Sequence, residues 1–235
     1  MKGKVCANEI LCSIPFSEWT ALLPYLEYQD LPVNRVLAEP HQRLEYAYFP
    51  NGVVASFVVA IADGRTVEVG LVGKGGFAGT PLAFGVRKTL LRIVMQVAGD
   101  GFRVRAGELE RVLKSAPSFR LKLGRYVLFQ GMQAAQTAAC NRLHDLDQRL
   151  ARWLLMTQDR VGSLFSMTQQ RLAETLGTGR PTITLAARHM QKTQIIRYTR
   201  GVVNILNREA LEDLACECYS VISQFNAELH LAPAE

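Results

Sequence analysis

Residues 168–200 read TQQRLAETLGTGRPTITLAARHMQKTQIIRYTR, and the order of signals within them decides the fold. Thr168 can cap the backbone N–H groups of a first helix whose Leu172, Ala173 and Leu176 fall on one face. Gly177 tolerates the left-handed conformation that a sharp corner demands, so the chain can restart at Thr178 and Gly179. Pro181 then lies in the first turn of a second helix, where its missing N–H costs little. That helix would bury Ile183, Ala186, Ala187 and Met190, leaving Arg180, Thr182, Thr184, Arg188 and Gln191 toward solvent or a groove. An ordinary helical hairpin with solvated charges shares this much. The sequel separates the two readings: Ile195–Thr199 and Val202–Leu206 are β-rich runs about an Arg200-Gly201 turn, which puts a cation at the tip of a wing. Helix, corner, helix and basic hairpin in this order describe a winged helix-turn-helix. An Arg opening its second helix is placed to reach base edges, and its forked donors match guanine.

Charge points to a polyanionic partner. The chain of 235 residues carries a formal net charge of +6, and residues 142–208 hold eleven Lys/Arg against four Asp/Glu. Positive charge is densest where the motif lies, and each phosphate it neutralises releases counterions, which supplies sequence-independent affinity. A high isoelectric point also aids solubility, so charge alone does not decide the matter.

Upstream the pattern changes twice. A short amphipathic lead helix around Phe16–Leu23 precedes apolar runs at Tyr46–Phe49, Val53–Ile61, Thr66–Val72, Ile93–Val97 and Gly101–Val104. Pro50-Asn-Gly, Ala62-Asp-Gly-Arg, Gly73-Lys-Gly-Gly and Gly99-Asp-Gly separate these runs as turn signals, Asp63-Gly64 being the strongest hairpin signal. Many short strands with glycine turns predict an antiparallel β-roll, jelly-roll-like. From Ser118 to Arg142 a long helix is expected, with Leu121, Gly124, Leu128, Gly131, Ala135 and Ala138 spaced alternately three and four apart. That spacing is a coiled-coil seam whose small residues let two backbones approach closely, although a helix packed on its own β-roll would share it. Asp147–Met156 continues as a further helix, with Trp153, Leu154 and Leu155 as core residues. The fold class is thus α+β: residues 1–116 a β-roll with a short lead helix, 117–144 a long helix carrying the seam, and 145–235 a winged helix-turn-helix domain ending in a helix. The start, MKGKVCANEILCSIPF, lacks a continuous apolar run, and no stretch of eighteen apolar residues occurs. A cytoplasmic protein with no membrane partner is expected.

At these residues the chain resembles the Crp/Fnr superfamily of bacterial transcription regulators, over nearly its whole length. The resemblance implies that Thr168, Gln170 and Thr182 touch phosphates and that Arg180 reads a base. With Thr178, Thr184, Arg188 and Arg200 these are the DNA-binding candidates. Pro181 and Leu185 stand where the best-known members have Glu and Arg, which leaves the operator sequence open. The resemblance also makes residues 1–116 a sensor or effector domain and the long helix, 117–144, the dimerisation helix, and implies a homodimer on a palindromic operator of double-stranded DNA, with RNA polymerase as a further partner. Cyclic-nucleotide-binding members hold ribose and phosphate with a Gly-Glu pair and an Arg-Ser-Ala. Here the corresponding stretches are Gly76–Leu82 and Thr89–Ile93, with Thr80 at the carboxylate position and Leu91-Arg92 at the Arg-Ser pair. Ala134 and Ala135 replace hydroxyls that would meet the base. A ligand other than cAMP is therefore expected, with Gly75, Gly76, Gly79, Thr80 and Arg92 as effector candidates and Gly75-Gly76 able to offer amides to an anion. A register slip placing Arg87 or Arg92 on a phosphate keeps a cAMP-responsive reading open. Redox-responsive and effector-independent architectural readings also stay open.

No cofactor and no metal are expected. The cluster-binding branch of the family uses four cysteines, three of them close together near the N-terminus, whereas Cys6 and Cys12 with Cys140 fall one ligand short. Cys216 and Cys218 read as thiols on different faces of a C-terminal helix, Cys218 packing with Leu211, Leu214, Val221, Ile222 and Phe225. His144 stands four residues after Cys140, a metal-pair spacing, but two ligands do not make a site. The four histidines are scattered, and no nucleophile elbow, phosphate loop or carboxylate pair is present, so an enzyme is not expected.

Overall fold

The computed structural model describes residues 5–229; residues 1–4, the basic start, and 230–235, the end of the C-terminal unit, lie outside them. Two short helices, α1 (Glu9–Cys12) and α2 (Phe16–Leu22), lead into β1 (Glu27–Leu31), β2 (Val36–Ala38), β3 (Tyr46–Pro50), β4 (Val54–Ala60), β5 (Thr66–Val72), β6 (Arg92–Val97) and β7 (Gly99–Arg105). Helices α3 (Ala106–Leu113) and α4 (Pro117–Leu143) follow, then α5 (Leu146–Val161), β8 (Leu164–Ser166), α6 (Gln169–Thr175), α7 (Arg180–Lys192), β9 (Ile196–Thr199), β10 (Val202–Ile205), α8 (Arg208–Leu214) and α9 (Cys218–Glu228). The α+β organisation read from the sequence is present.

The N-terminal strands form two antiparallel sheets, ordered β1-β7-β3 and β2-β6-β4-β5. The apolar runs of β3, β4 and β7 bury Phe49, Phe57 and Phe102 in the core of the roll, and the β4–β5 hairpin turns at Asp63-Gly64 with Gly64 at φ +85°. Strands β1 and β2 were not among the expected runs. Their sequences, EYQDL and VLA, are respectively too polar and too short to show alternation, and they form because β7 and β6 offer them edges. Gly99-Asp-Gly is a second correction: it opens β7 instead of making a turn. A Cβ at Gly101 would lie 2.6 Å from the Phe49 carbonyl oxygen, so the glycine serves close backbone approach.

Helix α4 closes the roll. Pro117 occupies its first turn, and the Glu18 carboxylate of α2 accepts the Ser118 and Phe119 N–H groups at 3.1 and 2.7 Å, capping a helix start that its own residues leave open. One face buries Phe119, Leu123, Tyr126, Phe129 and Gln133 against the sheets; the seam residues Leu121, Leu128, Gly131, Ala135 and Ala138 are exposed and Gly124 is half-buried. The helix is therefore packed on its own roll and still presents the small-residue stripe outward. Among the described residues no helix is long and apolar enough to cross a membrane.

The C-terminal unit rests on the roll. Val54, Leu71 and Val97 of the four-stranded sheet share one apolar cluster with Trp153, Leu154, Leu172 and Ile183. Polar ties cross the same boundary: the Trp153 indole donates to Glu68 at 3.0 Å, and the Arg171 guanidinium donates to the Gln96 backbone carbonyl and side chain.

Candidate nucleic-acid interface

The corner between α6 and α7 is built locally. The Thr168 hydroxyl accepts the Arg171 N–H at 3.3 Å, and Gly177 sits at φ +61° after the last turn. The Thr178 N–H returns to the Ala173 carbonyl at 2.9 Å and that of Gly177 to Glu174, the pairing that a left-handed glycine makes available at a helix end. Arg149 of α5 donates to the Leu176 carbonyl and holds the corner from behind. Helix α7 starts at Arg180 with Gly179 as N-cap, and buries Ile183, Ala186, Ala187 and Met190 as its periodicity requires.

The wing follows. β9 and β10 pair from Val202↔Thr199 to Ile205↔Ile196, and Arg200 and Gly201 take φ +51° and +78°, so the two-residue turn has the twist that suits a hairpin. β8, unforeseen because Leu164–Ser166 is only three residues long, adds a third strand through Val203↔Phe165. The Tyr198 hydroxyl donates to the Met167 carbonyl at 2.7 Å, and the Met167 N–H to Gly201, fixing the wing to the start of α6. Burial pushes the Tyr198 phenol up to about 12, so it keeps the proton it donates.

On the outer face Thr168, Gln170, Arg180, Thr182, Arg188 and Arg200 are all exposed. Among the described residues Arg180, Arg188 and Arg200 form no ion pair, whereas Arg103, Arg87 and Arg208 elsewhere do. Thr184 is half-buried: its hydroxyl donates to Gln169 Oε1 at 2.7 Å, tying α7 to α6. Thr178, half-buried, lines a cleft with Ile61, Gly64 and Thr66 of the β4–β5 hairpin and so faces the roll. Leu185, apolar at a position where the resemblance has an Arg, is 64% exposed on α7, a large apolar side chain with no core to fill.

The effector candidates do not converge. Gly75 and Gly76 line a cavity of about 180 Å³ with Glu9, Tyr126, Arg160, Tyr219 and Ile222. The Gly76 N–H donates to the Gly73 carbonyl at 3.0 Å, so it is spent in a turn and not offered to an anion; any Cβ there would collide with the Tyr126 ring. Gly79 takes φ +93° before a 3₁₀ turn that opens at the buried Thr80. Arg92 lies on β6 in a separate cavity with Glu68, Gln96 and Arg171, 3.4 Å from Glu39. Between roll and α4, rings in series fill the space: Phe119, Phe49, Phe77, Tyr126 and Phe129 follow one another at centroid distances of 5.4–5.9 Å.

The cysteines of the C-terminal unit need a correction. Cys216 precedes α9, after Ala215 in extended conformation, so Cys216 and Cys218 do not share a helical register and their thiols do not diverge. Both meet Cys140 and His144 in a small buried cluster of their own. The i, i+4 spacing of Cys140 and His144 is the one local signal; that the second pair joins it is not legible in the sequence, because the two pairs lie more than seventy residues apart.

Residues 148–214 match the Crp-like helix-turn-helix domain family. No curated protein matches the chain. Among solved structures it is similar to FixK2 of Bradyrhizobium japonicum (15% identity, 81% of this chain and 98% of that one, TM-score 0.69). It is also similar to the c-di-GMP-responsive global regulator CLP of Xanthomonas campestris (14%, 81% and 99%, 0.65) and to a CRP/FNR-family transcriptional regulator of Thermus thermophilus (20%, 80% and 98%, 0.61). At such identities the likeness is one of fold.

Proposed function

We propose that this chain, whose residues 148–214 form a Crp-like helix-turn-helix domain on the fold of Crp/Fnr transcriptional regulators, is a dimeric, sequence-specific transcription regulator of the cytoplasm. In it residues 1–116 are the sensor, 117–144 the dimer helix and 145–235 the DNA reader. The observation that carries this reading is the row of exposed arginines, Arg180 and Arg188 on α7 and Arg200 on the wing, above a fully buried apolar underside. Arg180 forks onto guanine while Thr168, Gln170, Thr182 and the wing hold phosphates, and Leu185 gives thymine methyls an apolar contact. One such unit reads a half-site, so the α4 seam supplies a second copy and the operator is a palindrome with half-sites one helical turn apart. RNA polymerase is the downstream partner that the resemblance implies.

The effector is not cAMP. Thr80 leaves a ribose without a charge-assisted acceptor, Ala134 and Ala135 offer no hydroxyl, and aromatic rings occupy the space between roll and α4. Selection of bound sequences from random DNA, repeated with and without cAMP, tests both statements. A palindrome whose affinity ignores the nucleotide is expected. Equal affinity for all sequences would favour an architectural DNA-binder, and a palindrome bound only with cAMP would overturn the effector reading.

A further inference from the structure

We propose that Cys140, His144, Cys216 and Cys218 form a mononuclear zinc site that fastens the end of the dimer helix to the C-terminal helix of the DNA-binding unit. The donors come in two pairs from opposite ends of the C-terminal half. Cys140 lies in the last turn of α4 and His144 is its C-cap, one turn on, so both face the same way. Cys216 and Cys218 flank the turn that opens α9. The four donor atoms all lie within 4.8 Å of one another, with Cys140 Sγ 3.5 Å from Cys216 Sγ and His144 Nδ1 3.5 Å from Cys218 Sγ.

Those distances select the occupant. With Zn–S near 2.3 Å and Zn–N near 2.0–2.1 Å, tetrahedral geometry separates neighbouring donors by about 3.6–3.8 Å. Two donor pairs already stand at 3.5 Å and the rest lie within 4.8 Å, so one ion at the centre requires the donors to close by about an ångström at most. A four-iron cubane would have to spread the thiolates well beyond it. Three sulfurs and an imidazole also suit Zn²⁺ better than the hard cations that prefer oxygen. The three cysteines are 1%, 4% and 1% exposed, so no open coordination position faces water and the site is of the closed, structural kind.

The surroundings fit a metal-bound histidine. Its other nitrogen, Nε2, lies 3.3 Å from the Glu217 carboxylate, the carboxylate–histidine–metal arrangement that fixes ring orientation and raises ligand basicity. Gln136 Nε2 donates to Cys218 Sγ at 3.1 Å. On binding, the three thiols release three protons to solvent and their sulfur lone pairs form the bonds to zinc, which leaves one net negative charge. Arg149 and Arg152 lie close enough to act electrostatically on this group and offset that charge. The ion would span the helix break at His144 between α4 and α5, and so fix the angle at which the dimer helix presents the DNA-binding unit.

Metal analysis of the full chain, purified under reducing conditions, tests the site. One zinc per chain is expected, and cobalt exchange should give the intense visible bands of tetrahedral thiolate coordination. Cys218→Ser and His144→Ala should lose the metal. Glu217→Gln, on the surface and harmless to folding, should weaken zinc 10–100-fold while leaving the circular dichroism unchanged. Iron with acid-labile sulfide, a Cys140–Cys216 disulfide in metal-free protein, octahedral cobalt, or failure of the chelated chain to take up micromolar zinc would each overturn the proposal. Any change in operator affinity on chelation rests additionally on the DNA-binding reading, whereas metal content and spectrum do not.

Discussion

Arg180 stands where sequence and structure agree most closely. It is the first residue of α7, exposed, and held by nothing but the helix that Gly179 caps. Its neighbours divide the labour: Thr184 is committed to Gln169, Pro181 has no N–H to give, and Leu185 is apolar. On the proposed function, base-specific hydrogen bonding at the start of the helix would fall to this one guanidinium. Arg180→Ala should cost ~1–3 kcal/mol on the specific operator, a loss of roughly fivefold to 150-fold, while weak non-specific binding stays nearly intact. Titrations of operator and scrambled duplexes at fixed salt would check this, and an equal loss on both would place Arg180 on a phosphate instead.

Helix α4 carries two faces, and among the described residues only one of them is packed. A Cβ added at Gly124 or Gly131 meets nothing within 4 Å, and Leu121 and Leu128 are 56% and 48% exposed, so this stripe has no packing role among the described residues. Gly131→Asp or Ala135→Asp should then leave the chain folded, split the dimer by like-charge repulsion across the seam, and abolish tight operator binding. Light scattering with far-ultraviolet dichroism separates this from unfolding; an unchanged dimer would move the interface elsewhere. The outward small-residue stripe was legible because its spacing is local, as were the Thr168 cap, the Gly177 corner and the Arg200-Gly201 turn. β1, β2 and β8 were not, since a short or polar strand is made by the edge it joins. Gly99-Asp-Gly misled for a related reason: glycine marks a turn and a close strand approach with the same letter. The Cys140–Cys218 cluster was hidden because its two halves meet only through the tertiary fold.

At the scale of the whole molecule the decisive contact is the seat of the DNA-binding unit on the roll. Glu68 lies at its centre, on β5, 7% exposed, its two oxygens accepting from the Trp153 indole of α5 and the Ser56 hydroxyl of β4. Burial outweighs these two donors and the charges of Arg152 and Arg160, and pushes the Glu68 carboxyl up from 4.5 to about 8. A carboxyl raised in the folded state binds more protons there than in the unfolded chain between those two values. Stability is therefore greatest near and below pH 4.5 as far as this group is concerned, falls as pH rises toward 8, and levels off above it. At ~1.4 kcal/mol per pK unit the group is worth a few kcal/mol, enough to loosen the seat within the physiological range. Glu68→Gln keeps the acceptor for Trp153 and has no proton to lose. Chemical unfolding of wild type from about pH 6 to about pH 8.5 should lose stability that the variant retains, and the difference between the two should grow with pH through this window. Parallel pH profiles of the two proteins would mean that Glu68 ionises freely, and that its protonation contributes nothing to holding the roll and the C-terminal unit together.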